Sequence, residues 1–161
     1  MYLELDAIFH REGAGREFDY VFPLEDELIA SDVHVKGSVV NKTGIVTLEA
    51  QADYTLSAVC ARCGAPIGRP VEVPVRHTLV EPAGAPEDAD DQDDEMIVVD
   101  GEKLDLDELI GEEVFLAMPY RFLCSEDCRG LCPQCGADLN LGPCACKPVI
   151  DPRWAALADL I

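Results

Sequence analysis

The chain has 161 residues, of which 48% are hydrophobic, and its 32 acidic and 12 basic side chains give a formal net charge of −20. This length suits one domain, or one domain with a small appendage, and allows a real core. The charge argues against a free-standing nucleic-acid-binding protein, because phosphate contacts require positive charge. Any contact with nucleic acid is therefore expected through a basic protein or a local basic patch.

Residues 1–9 contain no cationic start and no uninterrupted apolar run. They therefore resemble neither a signal peptide nor a membrane anchor. A cytoplasmic location is expected, and that compartment keeps thiols reduced. The disulfide interpretation of the eight cysteines is weakened accordingly.

Alternating apolar residues predict β-strands through most of the first eighty residues. Residues 2–9 alternate in part, with Leu3, Leu5 and Ala7 on one side, and a turn is expected at 41–44. The clearer alternating sets are Phe18, Tyr20 and Phe22; Val33, Val35 and Val39; Val46, Leu48, Ala50, Ala52, Tyr54, Leu56 and Ala58; and Val71, Val73, Val75, His77 and Leu79. Residues 1–80 are thus predicted to form an antiparallel β domain that carries a cysteine knuckle at 60–63 on a hairpin connection.

The remainder of the chain divides into three predicted segments. Residues 81–95 lack large apolar side chains and predict an acidic disordered loop. Residues 96–119 predict a strand, a turn at Asp100-Gly101 and a helix that Asp105 or Asp107 caps and Pro119 ends. Residues 120–161 form a cysteine-rich module with a predicted final helix, in which Asp151 is the N-cap.

The predicted fold class is α+β. It comprises an antiparallel β-sheet or partly closed barrel, one or two helices, and a C-terminal cysteine-rich zinc module. The apolar face of the last helix, formed by Trp154, Leu157, Ala158 and Ile161, is expected to pack on the protein's own sheet, with a partner's groove as the alternative.

The eight cysteines fall in four closely spaced pairs, an arrangement typical of metal sites. They are Cys60 and Cys63, Cys124 and Cys128, Cys132 and Cys135, and Cys144 and Cys146. Gly64 and Gly136 follow two of the pairs and suit the tight turn that such a knuckle needs. The pattern predicts one or two structural zinc ions, and eight thiolates suffice for two tetrahedral sites.

Two ways of combining the pairs can be argued from their positions. The pairs 132/135 and 144/146 lie within a short segment and could close one site, which leaves 60/63 to join 124/128. Alternatively, the two glycine-terminated knuckles, 60/63 and 132/135, could form one site as in a zinc ribbon. The first combination is preferred, although the single residue between Cys144 and Cys146 leaves little slack for tetrahedral angles.

The ligand types disfavour catalysis. A redox site usually needs an activated thiolate at a helix start, whereas Cys60 follows a strand and precedes a turn. Catalytic zinc usually has a histidine or carboxylate ligand, and His10, His34 and His77 all lie far from the cysteine pairs in sequence. No enzyme activity is expected.

Half of the twelve basic residues lie close to cysteine pairs in sequence. These are Arg62, Arg69, Arg121, Arg129, Lys147 and Arg153. The simpler interpretation is that they neutralise the thiolates. The alternative is a small basic face that touches RNA phosphate.

The run Cys124-Ser-Glu-Asp-Cys128-Arg-Gly-Leu-Cys132-Pro-Gln-Cys135-Gly-Ala-Asp-Leu-Asn140 is distinctive. Together with Cys60-Ala-Arg-Cys63 and the closing segment Asp151-Pro-Arg-Trp-Ala-Ala-Leu157, it resembles the bacterial YceD family of large ribosomal RNA subunit accumulation proteins. The resemblance implies a role in building the large ribosomal subunit, with 23S rRNA levels depending on it, and supplies no catalytic residue. It also implies a neighbouring gene, in many bacteria, for a small basic ribosomal protein of the large subunit.

The acidic charge indicates which kind of binding partner is expected within the ribosomal role that the resemblance implies. A chain of charge −20 is suited to binding a basic large-subunit ribosomal protein or a pre-ribosomal particle, with direct RNA contact left open. Two alternatives from other classes are a zinc-stabilised protein-interaction module and a zinc donor, both unconnected to ribosomes.

Overall fold

The computed structural model describes residues 1–82, 96–99 and 103–146. Seven strands and two helices occur in these ranges: β1 (Tyr2–Glu4), α1 (Asp6–Phe9), β2 (Gly15–Phe22), β3 (Val33–Lys42), β4 (Ile45–Val59), β5 (Pro66–Val80), β6 (Met96–Val98), β7 (Lys103–Asp105) and α2 (Leu106–Leu116). A mixed α+β fold dominated by sheet follows, as the sequence predicts.

Five strands form the main sheet in the order β2-β3-β4-β5-β6. Strands β2 and β3, and β3 and β4, pair antiparallel. One face of this sheet supplies the core, where the predicted alternation is confirmed by buried residues such as Val35, Leu48 and Leu56. The other face carries polar residues, among them Glu17, Lys36 and Glu49.

Of the two predicted alternatives, the described strands form the sheet and not a closed barrel, because the main sheet is open with β2 and β6 as its edges. Strand β6 pairs with β5 in parallel, through Thr78 and Met96 among others, so the sheet is not wholly antiparallel. Residues 81–95 separate these two strands, and a connection of a dozen or more residues is what parallel pairing requires.

The prediction that residues 2–9 alternate as a strand is wrong beyond Glu4. Strand β1 ends there, and α1 follows, with the Phe9 N–H donating to the Leu5 carbonyl at 2.9 Å. Leu5 and Ile8 are both buried, whereas Ala7 is exposed. The three-residue spacing of Leu5 and Ile8 fits a helical turn better than period-2 alternation. Strand β1 pairs antiparallel with β7 in a separate two-stranded sheet, and β7 was not predicted.

The helix predicted to start at Asp105 or Asp107 and to end at Pro119 is confirmed as α2. Asp105 is its N-cap and accepts a hydrogen bond from the Asp107 N–H at 3.0 Å. Leu106, Ile110 and Val114 are fully buried on one face. His77 on β5 is buried and contacts Glu113 of α2 through Nε2 at 3.0 Å, so a polar contact joins the helix to the sheet.

Three sequence predictions fall outside the described residues. They concern most of the acidic segment 81–95, the turn at Asp100-Gly101 and the final helix from Asp151 onward. Within the described ranges, no helix is long and apolar enough to cross a membrane.

The chain divides into two compact units. Unit 1 comprises residues 1–58 and 67–120, and unit 2 comprises residues 59–66 and 121–161. Unit 1 holds the helices and strands of the described residues, apart from Val59 at the end of β4 and Pro66 at the start of β5. All eight cysteines belong to unit 2, including Cys60 and Cys63 on the connection between β4 and β5.

Candidate metal centres

Four thiols from two distant parts of the chain form the first cluster: Cys60, Cys63, Cys124 and Cys128. Its Sγ atoms all lie within 4.8 Å of one another. The Cys60–Cys128 and Cys63–Cys124 sulfur pairs are 3.7 Å and 3.6 Å apart. Cys60 and Cys128 are buried, whereas Cys124 is exposed.

The second cluster consists of the last four cysteines: Cys132, Cys135, Cys144 and Cys146. Its Sγ atoms also lie within 4.8 Å of one another, and those of Cys132 and Cys144 are 3.4 Å apart. Cys132 is buried, Cys135 is exposed and the other two are half-buried. Both sulfurs of the 144/146 pair belong to the cluster in spite of the one-residue spacer.

The structure therefore brings the four pairs together in the first of the two combinations that the sequence allowed. The ribbon-like combination of 60/63 with 132/135 is not the observed one.

The two Cys-x-x-Cys-Gly knuckles have the same backbone geometry. In the first, the Cys60 N–H donates to the Ala65 carbonyl at 2.8 Å and the Gly64 N–H donates to the Cys60 carbonyl at 2.9 Å. The second repeats both bonds at the same lengths, from Cys132 to Ala137 and from Gly136 to Cys132. Gly64 and Gly136 have φ values of 72° and 71°, in the left-handed region that glycine adopts without a steric cost.

The first thiol of each knuckle is unusually acidic. Backbone N–H groups of Cys124 and Cys63 lower the pKa of Cys60 to about 6, and those of Cys135 and Gln134 lower the pKa of Cys132 to about 6. Hydrogen bonds from N–H groups stabilise a thiolate over a thiol. The fold therefore prepares one anionic sulfur in each cluster.

Three other thiols have raised pKa values. For Cys63, the Ala65 N–H lowers the pKa, but burial and contacts with the neighbouring thiols outweigh it and raise the pKa to about 12. Contact with Cys128 raises the pKa of Cys124, and contact with Cys135 together with burial raises the pKa of Cys146 to about 12. Four sulfurs this close cannot all ionise without a compensating cation.

The donor set fits Zn²⁺. All eight cysteines are free, and the sulfur separations of 3.4–3.7 Å far exceed a disulfide bond of about 2.05 Å. Four sulfurs at about 2.3 Å from a tetrahedral ion would be about 3.8 Å apart, close to the observed spacing. Each cluster offers four sulfurs, which is the ligand set of a closed structural site.

Two polar side chains brace the clusters, and the sequence did not single out either role. The Arg62 guanidinium donates from Nη1 to the carbonyls of Cys128 at 2.8 Å and Glu126 at 3.2 Å. Asn140 donates from Nδ2 to the Cys128 Sγ at 3.5 Å. Asp138-Leu-Asn140 is a signal for a local side-chain turn, but the pattern does not reveal the distant partner.

The other basic residues near cysteine pairs are placed differently. Arg69 lies in β5 and belongs to unit 1, whereas the side chains of Arg121 and Arg129 in unit 2 are exposed. Lys147 and Arg153 fall outside the described residues.

The three histidines belong to unit 1 and take part in neither cluster. His10 and His34 contact Asp6 and Asp19, respectively, on the surface, and His77 contacts Glu113 as described above.

Comparison with known proteins gives a family match that includes both clusters. The family model described as "Large ribosomal RNA subunit accumulation protein YceD" matches residues 48–161, more than half of the chain. No solved structure gives a significant match.

The chain is also similar to curated mycobacterial proteins. It is 38% identical over 102 residues to an uncharacterized protein of Mycobacterium tuberculosis strain H37Rv, and the aligned segment covers 63% of this chain and 49% of that protein. It is 30% identical over 138 residues to an uncharacterized protein of Mycobacterium leprae, and the aligned segment covers 86% of this chain and 57% of that protein. The chain thus spans about half the length of the curated relatives it matches.

Proposed function

Because the chain belongs to the YceD family of large ribosomal RNA subunit accumulation proteins, we propose that it is a non-enzymatic factor in large ribosomal subunit biogenesis that supports 23S rRNA accumulation. Its two cysteine clusters would each hold one structural zinc ion. The observation that carries the proposal is the pair of four-cysteine clusters inside the segment that matches the family. The cytoplasmic location expected from the sequence belongs to the same proposal.

The composition of the clusters supports a structural role for the metal. Catalytic zinc keeps one coordination position open for water or substrate, whereas four thiolates close the site. When bound, zinc would supply cross-links between distant backbone segments and cancel part of the thiolate charge. The residues of this chain would hold the ligands in place. Backbone N–H groups, including that of Cys124, stabilise the anionic sulfurs of Cys60 and Cys132. The Arg62 guanidinium donates to the carbonyls of Glu126 and Cys128.

The charge of the protein supports a basic protein as the direct partner. A formal net charge of −20 repels RNA phosphate and attracts a lysine- and arginine-rich protein over a distance set by ionic strength. The polar face of the main sheet presents exposed carboxylates on three strands, including Glu17, Glu49 and Glu72. A basic large-subunit ribosomal protein, shielded until delivery to a pre-ribosomal particle, fits this surface, and the effect on 23S rRNA would follow from it.

An affinity pull-down from native lysate, with and without nuclease, tests the proposal. Recovery of a basic large-subunit protein after nuclease treatment is the expected result. Recovery that disappears with nuclease would indicate RNA contact, to which the exposed Arg121 and Arg129 could contribute. Absence of any ribosomal component in both samples would contradict the ribosomal role.

Charge-reversal variants make the same experiment specific to a surface. The variant Glu17→Lys/Glu72→Lys alters the polar sheet face, while Glu12→Lys/Glu27→Lys changes the net charge equally at exposed positions outside the strands. The first variant should recover less ribosomal protein than the second. An equal decrease in recovered ribosomal protein for both variants would indicate attraction by net charge alone.

A zinc donor is a second candidate, favoured by the exposure of Cys124 and Cys135. Mass spectrometry of the purified protein together with competition by a chromophoric chelator separates the two. Two tightly held zinc ions support a structural role, and ready transfer to a competitor of moderate affinity supports a donor.

A further inference from the structure

A three-residue link joins the two clusters, and the loop of the second cluster is hydrogen-bonded to the backbone of this link. Residues 129–131 are this link, between Cys128 of the first cluster and Cys132 of the second. The Leu139 N–H donates to the Gly130 carbonyl at 2.9 Å, and Leu131 pairs antiparallel with Asp138. The loop that connects Cys135 to Cys144 therefore reaches back over the link towards the first cluster.

Asn140 lies on that loop and touches the other cluster. Its Oδ1 accepts the Arg129 N–H at 2.7 Å, and its Nδ2 donates to the Cys128 Sγ at 3.5 Å. The Asp138 Oδ1 atom accepts from both the Asn140 N–H and Nδ2, at 2.9 Å and 2.7 Å. A residue between two ligands of the second cluster thus bonds to a ligand of the first.

The orientation of the Asn140 amide follows from its partners. A backbone N–H needs an acceptor, so the amide oxygen faces Arg129. The amide nitrogen is then left for the Asp138 carboxylate and the Cys128 sulfur, both of which are acceptors. A reversed amide would place its oxygen 2.7 Å from the Asp138 carboxylate oxygen, and two acceptors at that distance repel each other.

We propose that Asn140 is a positioning residue that couples the two metal centres, so that metal in the second cluster raises the metal affinity of the first. The inference rests on the proposed role of the clusters as zinc sites. Metal in the second cluster would fix the loop 136–143 and hold the Asn140 amide against Cys128. An N–H donor there stabilises a sulfur that bears negative charge in a four-thiolate zinc site.

The coupling has a defined size and is reciprocal. Hydrogen bonds to metal ligands from the surrounding protein typically change metal affinity by about 10–100-fold. Linkage requires that metal in the first cluster raise the affinity of the second by the same factor. Zinc is therefore expected to load cooperatively, with few molecules that hold a single ion.

A double-mutant cycle in the full chain tests the coupling, with zinc affinity of the first cluster measured by chromophoric chelator competition. Cys135→Ser disables the second cluster and should weaken the first at least tenfold. In an Asn140→Ala background, the same Cys135→Ser change should weaken the first cluster little further. Full additivity of the two changes would overturn the proposal.

Two further variants separate coupling from general damage to the loop. Asn140→Asp keeps an oxygen for the Arg129 N–H but removes the donor to Cys128, so it should weaken the first cluster as Asn140→Ala does. Leu141→Ala alters the neighbouring side chain, which is 89% exposed, and should leave the affinity unchanged. A loss in Leu141→Ala equal to that in Asn140→Ala would contradict a specific role.

A spectroscopic readout makes the result independent of stability. With ¹¹³Cd in place of zinc, Asn140→Ala should shift the ¹¹³Cd resonance of the first cluster, because a hydrogen bond to one of its sulfurs is lost. Cys63→Ser and Cys135→Ser assign the two resonances. An unshifted first-cluster resonance in a protein that binds two ions refutes the coupling alone, whereas failure to bind any zinc refutes the proposed metal role itself.

Discussion

The guanidinium of Arg62 illustrates how a basic residue beside a cysteine pair can serve the fold rather than a ligand. Its two hydrogen bonds to the carbonyls of Glu126 and Cys128 connect the knuckle of the β4–β5 connection to the segment that carries two other thiols of the first cluster. Such charge-assisted bonds are stronger than neutral ones. Arg62 is therefore a poor candidate for RNA contact, in contrast to Arg129.

Replacement of Arg62 should weaken the first cluster. For Arg62→Gln we expect a loss of about 1 kcal/mol in the free energy of zinc binding by the first cluster. This is below the usual range for hydrogen bonds from a charged donor, because the side chain is exposed. Chelator competition and thermal unfolding of the zinc-loaded protein measure it. Arg129→Gln is the matched control, since Arg129 is exposed and contacts Asn140 through its backbone N–H, which the substitution keeps. An unchanged Arg62→Gln protein that loses only RNA binding would contradict the structural role.

The ligands of both clusters could be predicted from the sequence, whereas their supports could not. Short cysteine spacings follow from the local geometry of a knuckle, so the pairs are visible in one dimension. The bond from Asn140 to Cys128, and those from Arg62, depend on where folded segments meet. No periodicity or spacing encodes such a contact.

Glycines in the regular elements have opposite effects on stability according to their surroundings. A Cβ at Gly37 of β3 would lie 2.5 Å from the Glu49 carbonyl oxygen and 2.6 Å from the Ala50 Cβ of the neighbouring strand. A Cβ at Gly111 of α2 would meet only the Leu24 Cδ1, at an ordinary 3.5 Å. The first position requires glycine for close strand approach, and the second does not.

Alanine at these two positions should therefore change stability in opposite directions. Gly37→Ala should lower the free energy of unfolding by more than about 2 kcal/mol, because the backbone must move. Gly111→Ala should raise it by about 0.5–1 kcal/mol through helix propensity. Urea denaturation followed by far-UV circular dichroism measures both. A stabilised Gly37→Ala protein would show that β3 and β4 are further apart than described.

The glycine after each knuckle is required for its backbone angle rather than for space. Gly64 has a φ of 72° and no atom within 4 Å of an added Cβ, and Gly68 in the same hairpin has equal space but no positive φ. Gly64→Ala should thus weaken zinc binding by the first cluster by about 1 kcal/mol. Gly68→Ala is the control and should bind zinc as the unaltered protein does. Equal losses in both would contradict this reasoning.

Elements with long periodic patterns were predictable, and short ones were not. The period-2 pattern of β4 extends over fifteen residues, and α2 has a cap, an apolar face and a following proline. In contrast, β1 and β7 have three residues each, and they exist because they pair with one another across a hundred residues of sequence. A pattern that short fits a strand or a helical turn equally well, which explains the error at residues 5–9.

The two units depend on different sources of stability. Among the described residues of unit 2, the buried hydrophobic residues are Cys60, Cys128 and Cys132. The large buried side chains, such as Leu48, Leu56 and Ile110, belong to unit 1. In unit 2, metal ligation by the eight cysteines would therefore take the place of an apolar core.

Metal removal should consequently unfold one unit and spare the other. After treatment with a strong chelator, amide resonances of unit 2 should collapse to unfolded positions, while those of the β-sheet in unit 1 remain dispersed. Two-dimensional NMR of the ¹⁵N-labelled protein measures this, and chelator presaturated with zinc is the control. Restoration of the spectrum by two equivalents of zinc would complete the result, and loss of dispersion throughout the chain would contradict it.

Metal binding should also depend steeply on pH, because thiols of both clusters must lose protons before they can bind metal. Cys63, Cys124 and Cys146 have raised pKa values and are protonated thiols at pH 7 without metal. Occupation of both clusters at that pH therefore releases at least three protons, one from each of these thiols. Since protons and metal compete, the apparent zinc affinity should fall as the pH decreases.

The pH profile should steepen further in mildly acidic solution. Cys60 and Cys132 have pKa values of about 6 and are thiolates above that pH. Below it, protons bind these two sulfurs as well and compete with the metal for them. Because metal binding requires deprotonated thiols, the stabilisation that metal supplies would be complete in alkaline solution and would be lost as the pH falls. Titration calorimetry in buffers of different ionisation enthalpy counts the released protons, and chelator competition from pH 5.5 to 8 gives the profile. Fewer than three protons released at pH 7 would mean that the thiols of the metal-free clusters are already ionised, and the closed four-thiolate geometry described here would then need another source of positive charge.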